Sequence, residues 1–174
     1  MGIQFETDYN METLTAMAKG LRKTVRKKRS RRVHIFAAVV LILGLLTILA
    51  TVAGGEPLGA SGVVTLLALL VVILVSLFED RLNAWFAKKR LLPGTEHAAA
   101  TFEEDGYVSA TGVTESRFSY AQIVAVAETA RYFVFALSSH HTQAYDKRTI
   151  RGGSVEDFRA FIAEKTGKLV EKIK

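Results

Sequence analysis

Three hydrophobic rhythms follow one another along the chain. Met11, Leu14, Ala18, Leu21 and Val25 recur at steps of three and four, the stripe of an amphipathic helix from about Tyr9 to Arg29 with Asp8 or Asn10 as its cap. Periodicity then disappears into continuous apolarity: between Arg32 and Glu79 the one charged residue is Glu56. After Leu92 the pattern shortens to alternation broken by frequent turn residues, the mark of short strands with one buried face. Gly2–Thr7, "GIQFET", alternates weakly and is a candidate strand for that later sheet.

The apolar runs Val33–Ala53 and Leu58–Phe78 are each about 20 residues, a rise of about 30 Å as helix, which matches the hydrocarbon thickness of a bilayer. An open strand of that length leaves its backbone unsatisfied in lipid, so both are expected to be helices. "GGEPLGASG" (Gly54–Gly62) joins them with turn residues and makes a hairpin. The chain therefore divides into an N-terminal segment 1–32, a first span 33–53, a loop 54–57, a second span 58–78, a basic juxtamembrane segment 79–92 and a C-terminal domain 93–174. Gly44, Gly59, Ser61 and Gly62 either let the helices approach closely or are simply tolerated small residues. No ionisable group sits mid-span, which argues against a proton relay or an ion path through one subunit.

Charge sets the orientation of this hairpin. The net charge is +6, and the excess flanks the apolar runs: residues 1–32 hold nine basic and three acidic groups, whereas 91–174 hold ten and eleven. Arg26, Lys27, Lys28, Arg29, Arg31 and Arg32 precede the first run; Arg81, Lys88, Lys89 and Arg90 follow the second; the loop has none. A nucleic-acid binder spreads such residues over a folded face, so the pattern predicts a membrane surface and no nucleic-acid partner. By the positive-inside rule both termini are cytoplasmic, and each basic residue near anionic headgroups contributes about 1 kcal/mol. A cleaved leader has the same order of basic then apolar residues, but here the basic region and the apolar run are too long and a second span follows at once. The N-terminal stripe either touches headgroups or, as preferred here, packs on the soluble domain. Trp85 and Phe86 mark an interfacial belt or an amphipathic exit turn.

In the C-terminal region six strands are expected: His97–Glu103 and Tyr107–Thr111 around an Asp105-Gly106 type I′ turn, then Glu115–Tyr120, Gln122–Glu128, Arg131–Leu137 and Thr142–Asp146. A helix follows, with Ser154 and Asp157 in a capping-box arrangement, Val155, Phe158, Phe161 and Ile162 on its apolar face, and Gly167 at its end. The fold class is membrane α+β: a two-helix transmembrane hairpin followed by a small antiparallel sheet or partial barrel capped by the C-terminal helix.

The layout resembles that of the YcxB-like family, small bacterial membrane proteins with two spans and a pleckstrin-homology-like domain. The resemblance is carried by "PGTEH" (Pro93–His97), "FEEDGY" (Phe102–Tyr107), "FSYAQIVAVAETARYFVFALS" (Phe118–Ser138) with its Tyr120-x-x-Ile123 step, and "AYDKRTI" (Ala144–Ile150) before the "GGSVEDFRAFI" helix. It implies a Gram-positive-type bacterial cell membrane and no established catalytic activity. Related domains often carry Ile-Pro-Lys where this chain has Tyr145-Asp146-Lys147; Lys147 matches and Asp146 departs.

Candidate chemistry is sparse. With no Cys, disulfides, thiolate metal sites and cysteine nucleophiles are excluded. His140-His141 point apart if on a strand and rarely chelate one ion on a turn, and His97 with Glu103 and Glu104 lacks metal-ligand spacing. Ser138, Ser139, His140 and Asp146 are triad residue types without a nucleophile elbow. Lys147, Arg148 and Arg151 form a basic cluster that either meets an anionic headgroup or acidic peptide, or is a solvated turn. Tyr132, Phe133 and Phe135 either border a groove that accepts an edge strand or belong to the core. The expectation is a non-enzymatic interaction module without cofactor or metal, held at the cytoplasmic face against the lipid bilayer, with a protein partner or a second copy. The alternative is an accessory subunit of a transport or antimicrobial-defence system acting through the hairpin.

Overall fold

The weak alternation at the amino terminus does form a strand. In the computed structural model, which describes residues 2–173, β1 (Ile3–Asp8) buries Ile3, Phe5 and Thr7. It pairs antiparallel with β2 (His97–Phe102), from Ile3 opposite Phe102 to Asp8 opposite His97. Everything between those paired ends is helical or connecting: α1 (Met11–Lys23), α2 (Lys27–Ala53), α3 (Ala60–Leu77) and α4 (Glu79–Lys89). The base of this excursion is closed by the Tyr9 N–H donating to the Glu96 carbonyl at 2.7 Å and by His97 Nδ1 lying 2.8 Å from Asp8 Oδ1. The helices are thus an insertion into a β1–β2 connection, and the sheets draw on both the 1–32 and the 93–174 segments.

Asn10, not Asp8, caps α1, accepting from the N–H groups of Glu12 and Thr13. The helix is shorter than its stripe predicts: Thr24 turns its hydroxyl onto the Gly20 carbonyl at 2.7 Å, and a turn separates α1 from α2. Leu14, Ala16, Gly20 and Leu21 are buried. Gly20 is required by closeness, since a Cβ there would sit 2.7 Å from Val134 Cγ1. On its other side α1 packs against α4, whose Ala84 is fully buried. Trp85 and Phe86 of the segment 79–92 lie not in a turn but on this eleven-residue helix, with Glu79 and Asp80 in its first turn and Lys88 and Lys89 in its last, the order the helix dipole favours.

Helices α2 and α3 are both long and apolar enough to cross a membrane. They meet at Gly44, where a Cβ would lie 2.6 Å from Leu69 Cδ2. Gly59 has nothing within 4 Å and Gly62 meets only Leu58, so neither brings the two helices together.

The remaining elements are β3 (Tyr107–Thr111), β4 (Glu115–Phe118), β5 (Ala125–Glu128), β6 (Tyr132–Ala136), β7 (Thr142–Asp146), α5 (Val155–Thr166) and β8 (Val170–Lys172). They make two four-stranded sheets, β1-β2-β3-β4 and β7-β6-β5-β8, antiparallel except where β8 runs parallel to β5. A 3-10 turn at Tyr120–Gln122, capped by Ser119, delays the start of β5 past the expected Gln122. The Asp105-Gly106 turn is not type I′, because no residue there has positive φ. Its glycine is explained by approach instead: a Cβ on Gly106 would sit 2.5 Å from the Phe118 carbonyl oxygen.

The inner faces of the sheets meet in an aromatic core. Phe158 of α5 plugs its end, with ring centroids 4.7 Å from Phe5, 4.8 Å from Phe102 and 5.0 Å from Phe133. On the opposite face of the second sheet, Tyr132, Val134 and Ala144 are covered by Ala16 and Met17 of α1. Strand β6 is therefore buried on both faces, which makes Phe133 and Phe135 core rather than the border of a groove, while Tyr132, itself buried, lies at the floor of a cleft beside α1. The place beside β5 is occupied by the chain's own β8.

Candidate functional site

Two carboxylates buried to about 95%, Glu128 and Asp146, organise the cations of the domain. Glu128 closes β5 and accepts two hydrogen bonds from Arg159 of α5, at 2.7 and 2.8 Å, and one from Lys147 Nζ at 3.0 Å. These bonds, led by that to Arg159, hold the carboxyl at a pKa of about 2 against an ordinary 4.5. Lys147 also donates to the Thr129 carbonyl at 2.7 Å. Asp146 accepts from Arg131 at 2.9 Å and from Arg148 at 3.0 Å, and Arg131 reaches on to Glu12 of α1. Its other role is to cap the 3-10 turn at Lys147–Thr149, where its Oδ1 accepts the Arg148 N–H at 3.0 Å.

The expected cluster of Lys147, Arg148 and Arg151 is consequently split among three carboxylates. Lys147 faces Glu128, Arg148 faces Asp146, and Arg151, 69% exposed, lies 3.5 Å from Glu6. The other candidates disperse in the same way. His97 is on Asp8, Glu103 is near Arg117, and Glu104 is paired with Lys165. Ser138 Oγ accepts the N–H groups of His140 and His141, a turn motif, while Asp146 stands at the far end of β7. Among the described residues no three of His, Asp and Glu converge.

Two clefts bear on the basic residues. The larger, about 1060 Å³, runs between α1, the β5–β6 turn and the end of β8. Met11, Ala16, Tyr132 and Ile173 give it an apolar floor, and Lys19, Arg81 and Lys172 stand at its sides. None of those three cations has a carboxylate within ion-pair distance among the described residues. The two acids of the cleft, Glu12 and Glu128, are already held by Arg131, and by Lys147 and Arg159.

The smaller cleft, about 590 Å³, lies where α1, α2, α4 and the β6–β7 turn come together. From the basic block it takes Arg26 and Arg29, while Lys27, Lys28, Arg31 and Arg32 are exposed around the start of α2. Lys88, Lys89 and Arg90 are exposed at the other end of α4, about 15 Å along its axis from Glu79. Lys89 Nζ sits 3.6 Å over the Trp85 ring.

Residues 102–162, from the end of β2 into α5, match the family described as YcxB-like protein. No curated protein and no solved structure matches the chain. The matched stretch holds much of the inner core, and the Tyr-x-x-Ile step has a clear structural use. Tyr120 Oη donates to the carbonyls of Glu103 and Gly106 at 2.6 and 3.0 Å, pinning the β2–β3 turn, and Ile123 is fully buried. Residues that sequence reasoning missed lie mostly between segments. Arg22 makes a two-bond fork to Asp80 across 58 positions, and Gln143 accepts from both Tyr107 and Tyr145. The single hint was Glu128, a charged residue ending an otherwise apolar strand.

Proposed function

We propose that the chain is a two-span bacterial membrane protein with both termini cytoplasmic. Its two-sheet domain, pleckstrin-homology-like in layout, acts as a non-enzymatic binding module that receives an acidic segment of a protein partner in the larger cleft. The observation that carries this reading is the imbalance inside that cleft: Lys19, Arg81 and Lys172 lack carboxylates among the described residues while its own acids are satisfied. An acidic segment with an apolar residue or two fits both the free cations and the apolar floor. The membrane placement is supported by the apolar side chains that α2 and α3 turn outward, such as Phe36, Leu49 and Val64, and by the basic residues at the hairpin's base.

Because the protein has no Cys, single replacements report without background. Glu56→Cys is expected to react with an impermeant maleimide in intact cells, and Glu104→Cys only after the membrane is opened; the reverse pattern ends the cytoplasmic assignment. A photo-crosslinking residue at Ala130 is expected to trap a discrete adduct in native membranes that Lys19→Glu with Arg81→Glu abolishes. The accessory-subunit reading rests on the outward apolar faces of the hairpin and expects adducts from Leu46 or Leu67 instead.

A further inference from the structure

We propose that the smaller cleft is a binding site for the phosphodiester of an anionic phospholipid, with Arg26 and Arg29 as its ligands. This rests on the reading above that α2 and α3 cross the bilayer. Helix α2 runs without a break from Lys27 into the apolar run that begins at Val33, and the cleft is lined by Arg26, Arg29, Ser30 and Val33 in succession. It therefore opens at the seam where charged turns give way to apolar ones, the depth at which headgroup phosphates lie.

Arg26 is oriented from the soluble domain. Its Nε donates to the Ser139 carbonyl of the β6–β7 turn at 2.6 Å, which holds the guanidinium and leaves its two terminal nitrogens without a carboxylate among the described residues. Arg29 lines the same space and likewise has no carboxylate partner there. A planar fork fixed at one edge is the geometry that binds phosphate through two parallel bonds. Arg22, the third arginine of the cleft, is spent: it forks onto Asp80 at 2.7 and 2.6 Å. Glu79, the carboxylate in the lining, is shared between Arg22 at 3.8 Å and His34 at 3.7 Å. Leu14, Met17 and Leu21 supply an apolar wall for the glycerol and upper acyl carbons.

The arrangement differs from a diffuse basic belt, because it joins a hairpin residue to a turn 113 positions away. A headgroup bound there ties the domain to the leaflet in one orientation. The occupant is a lipid and not a peptide because the space is about half that of the larger cleft and its lining runs on to Val33, where the apolar run begins.

The test uses the full-length protein in phosphatidylcholine vesicles with and without phosphatidylglycerol, counting retained lipids by native mass spectrometry after mild detergent release. The wild type is expected to keep phosphatidylglycerol in preference to phosphatidylcholine. Arg26→Gln with Arg29→Gln is expected to weaken that retention about tenfold or more, through the loss of both charge-assisted pairs, while Arg31→Gln with Arg32→Gln, the same charge change outside the cleft, leaves it intact. An unchanged thermal transition in both pairs shows that the fold survives, and Arg26→Lys, which keeps charge but not the fork, is expected to restore only part of the retention. Equal weakening by the two pairs overturns the site in favour of surface attraction. Displacement by inorganic phosphate without any lipid preference overturns the lipid assignment. A protein that alkaline carbonate strips from the vesicles defeats the membrane-spanning reading and this proposal with it. One that stays embedded yet holds no phosphatidylglycerol defeats the site alone.

Discussion

The hairpin and the two-sheet domain both depend on apolar side chains, yet they use them in opposite ways. Along α2 no residue is buried, and along α3 only Leu69 is. The inner core of the sheets gathers thirteen buried residues from both ends of the chain. A helix satisfies its backbone within itself, so α2 and α3 need little more than a matching solvent and one close contact at Gly44. Strands satisfy theirs only through partners, and their stability is therefore packing and pairing across long sequence distances.

If this contrast is right, the largest effect comes from separating the two. Residues 93–174 alone lack β1 and α1, which leaves one edge of β2 unpaired and Tyr132, Val134 and Ala144 uncovered. Such a fragment is expected to lack a cooperative unfolding transition and to aggregate. Replacing 24–78 by a short flexible linker, by contrast, is expected to give a soluble domain with a sharp thermal transition, because Arg22 and Asp80 already bring the cut ends together. A folded 93–174 fragment would show that the amino-terminal elements are ornamental.

Next in size is Phe158→Ala, expected to cost about 4 kcal/mol in the linker-joined domain, the usual cost of emptying a buried aromatic site. Urea unfolding measures it. The third concerns the ion cluster that joins β5 to α5. The folded carboxyl of Glu128 titrates near pH 2 and the unfolded one near 4.5. Its stabilisation, about 3 kcal/mol by linkage, is present in full above pH 4.5 and is lost as pH falls towards 2. Glu128→Gln is expected to lower stability at neutral pH by about that amount, since it strands Lys147 and Arg159, and to flatten the acid limb of the stability curve; an unaltered limb would remove Glu128 as its cause. The smallest effect belongs to the hairpin. Leu67→Ala, on an outward face of α3, is expected to shift the stability of the two-sheet domain by less than about 0.5 kcal/mol.

How much of this was legible in the chain follows from the range of each interaction. The helix at Val155–Thr166 was readable because its signals are local: Ser154 and Asp157 cap each other as expected, and Gly167 adopts the left-handed φ of 63° that ends the helix. Strands β3 and β7 fall where alternation places them. In the candidate sites, Lys147, Arg148 and Arg151 were visible as charges, but their partners Glu128, Asp146 and Glu6 were not, because nothing in the spacing of residues says which carboxylate a strand pairing brings near. The three-residue β8 was too short to show a period, and Arg22 with Asp80 is separated by the entire hairpin.

The amino-acid sequence by itself determined the two apolar helices, the basic residues at their base, most of the strands and the closing helix with its caps. Each of these depends on neighbours within a turn or two, or on composition alone. Tertiary structure decided that the hairpin is inserted between two paired strands, that α1 is shared between sheet and α4, and which arginines keep a free fork. Those outcomes depend on which distant backbones pair, and pairing is a property of the folded whole.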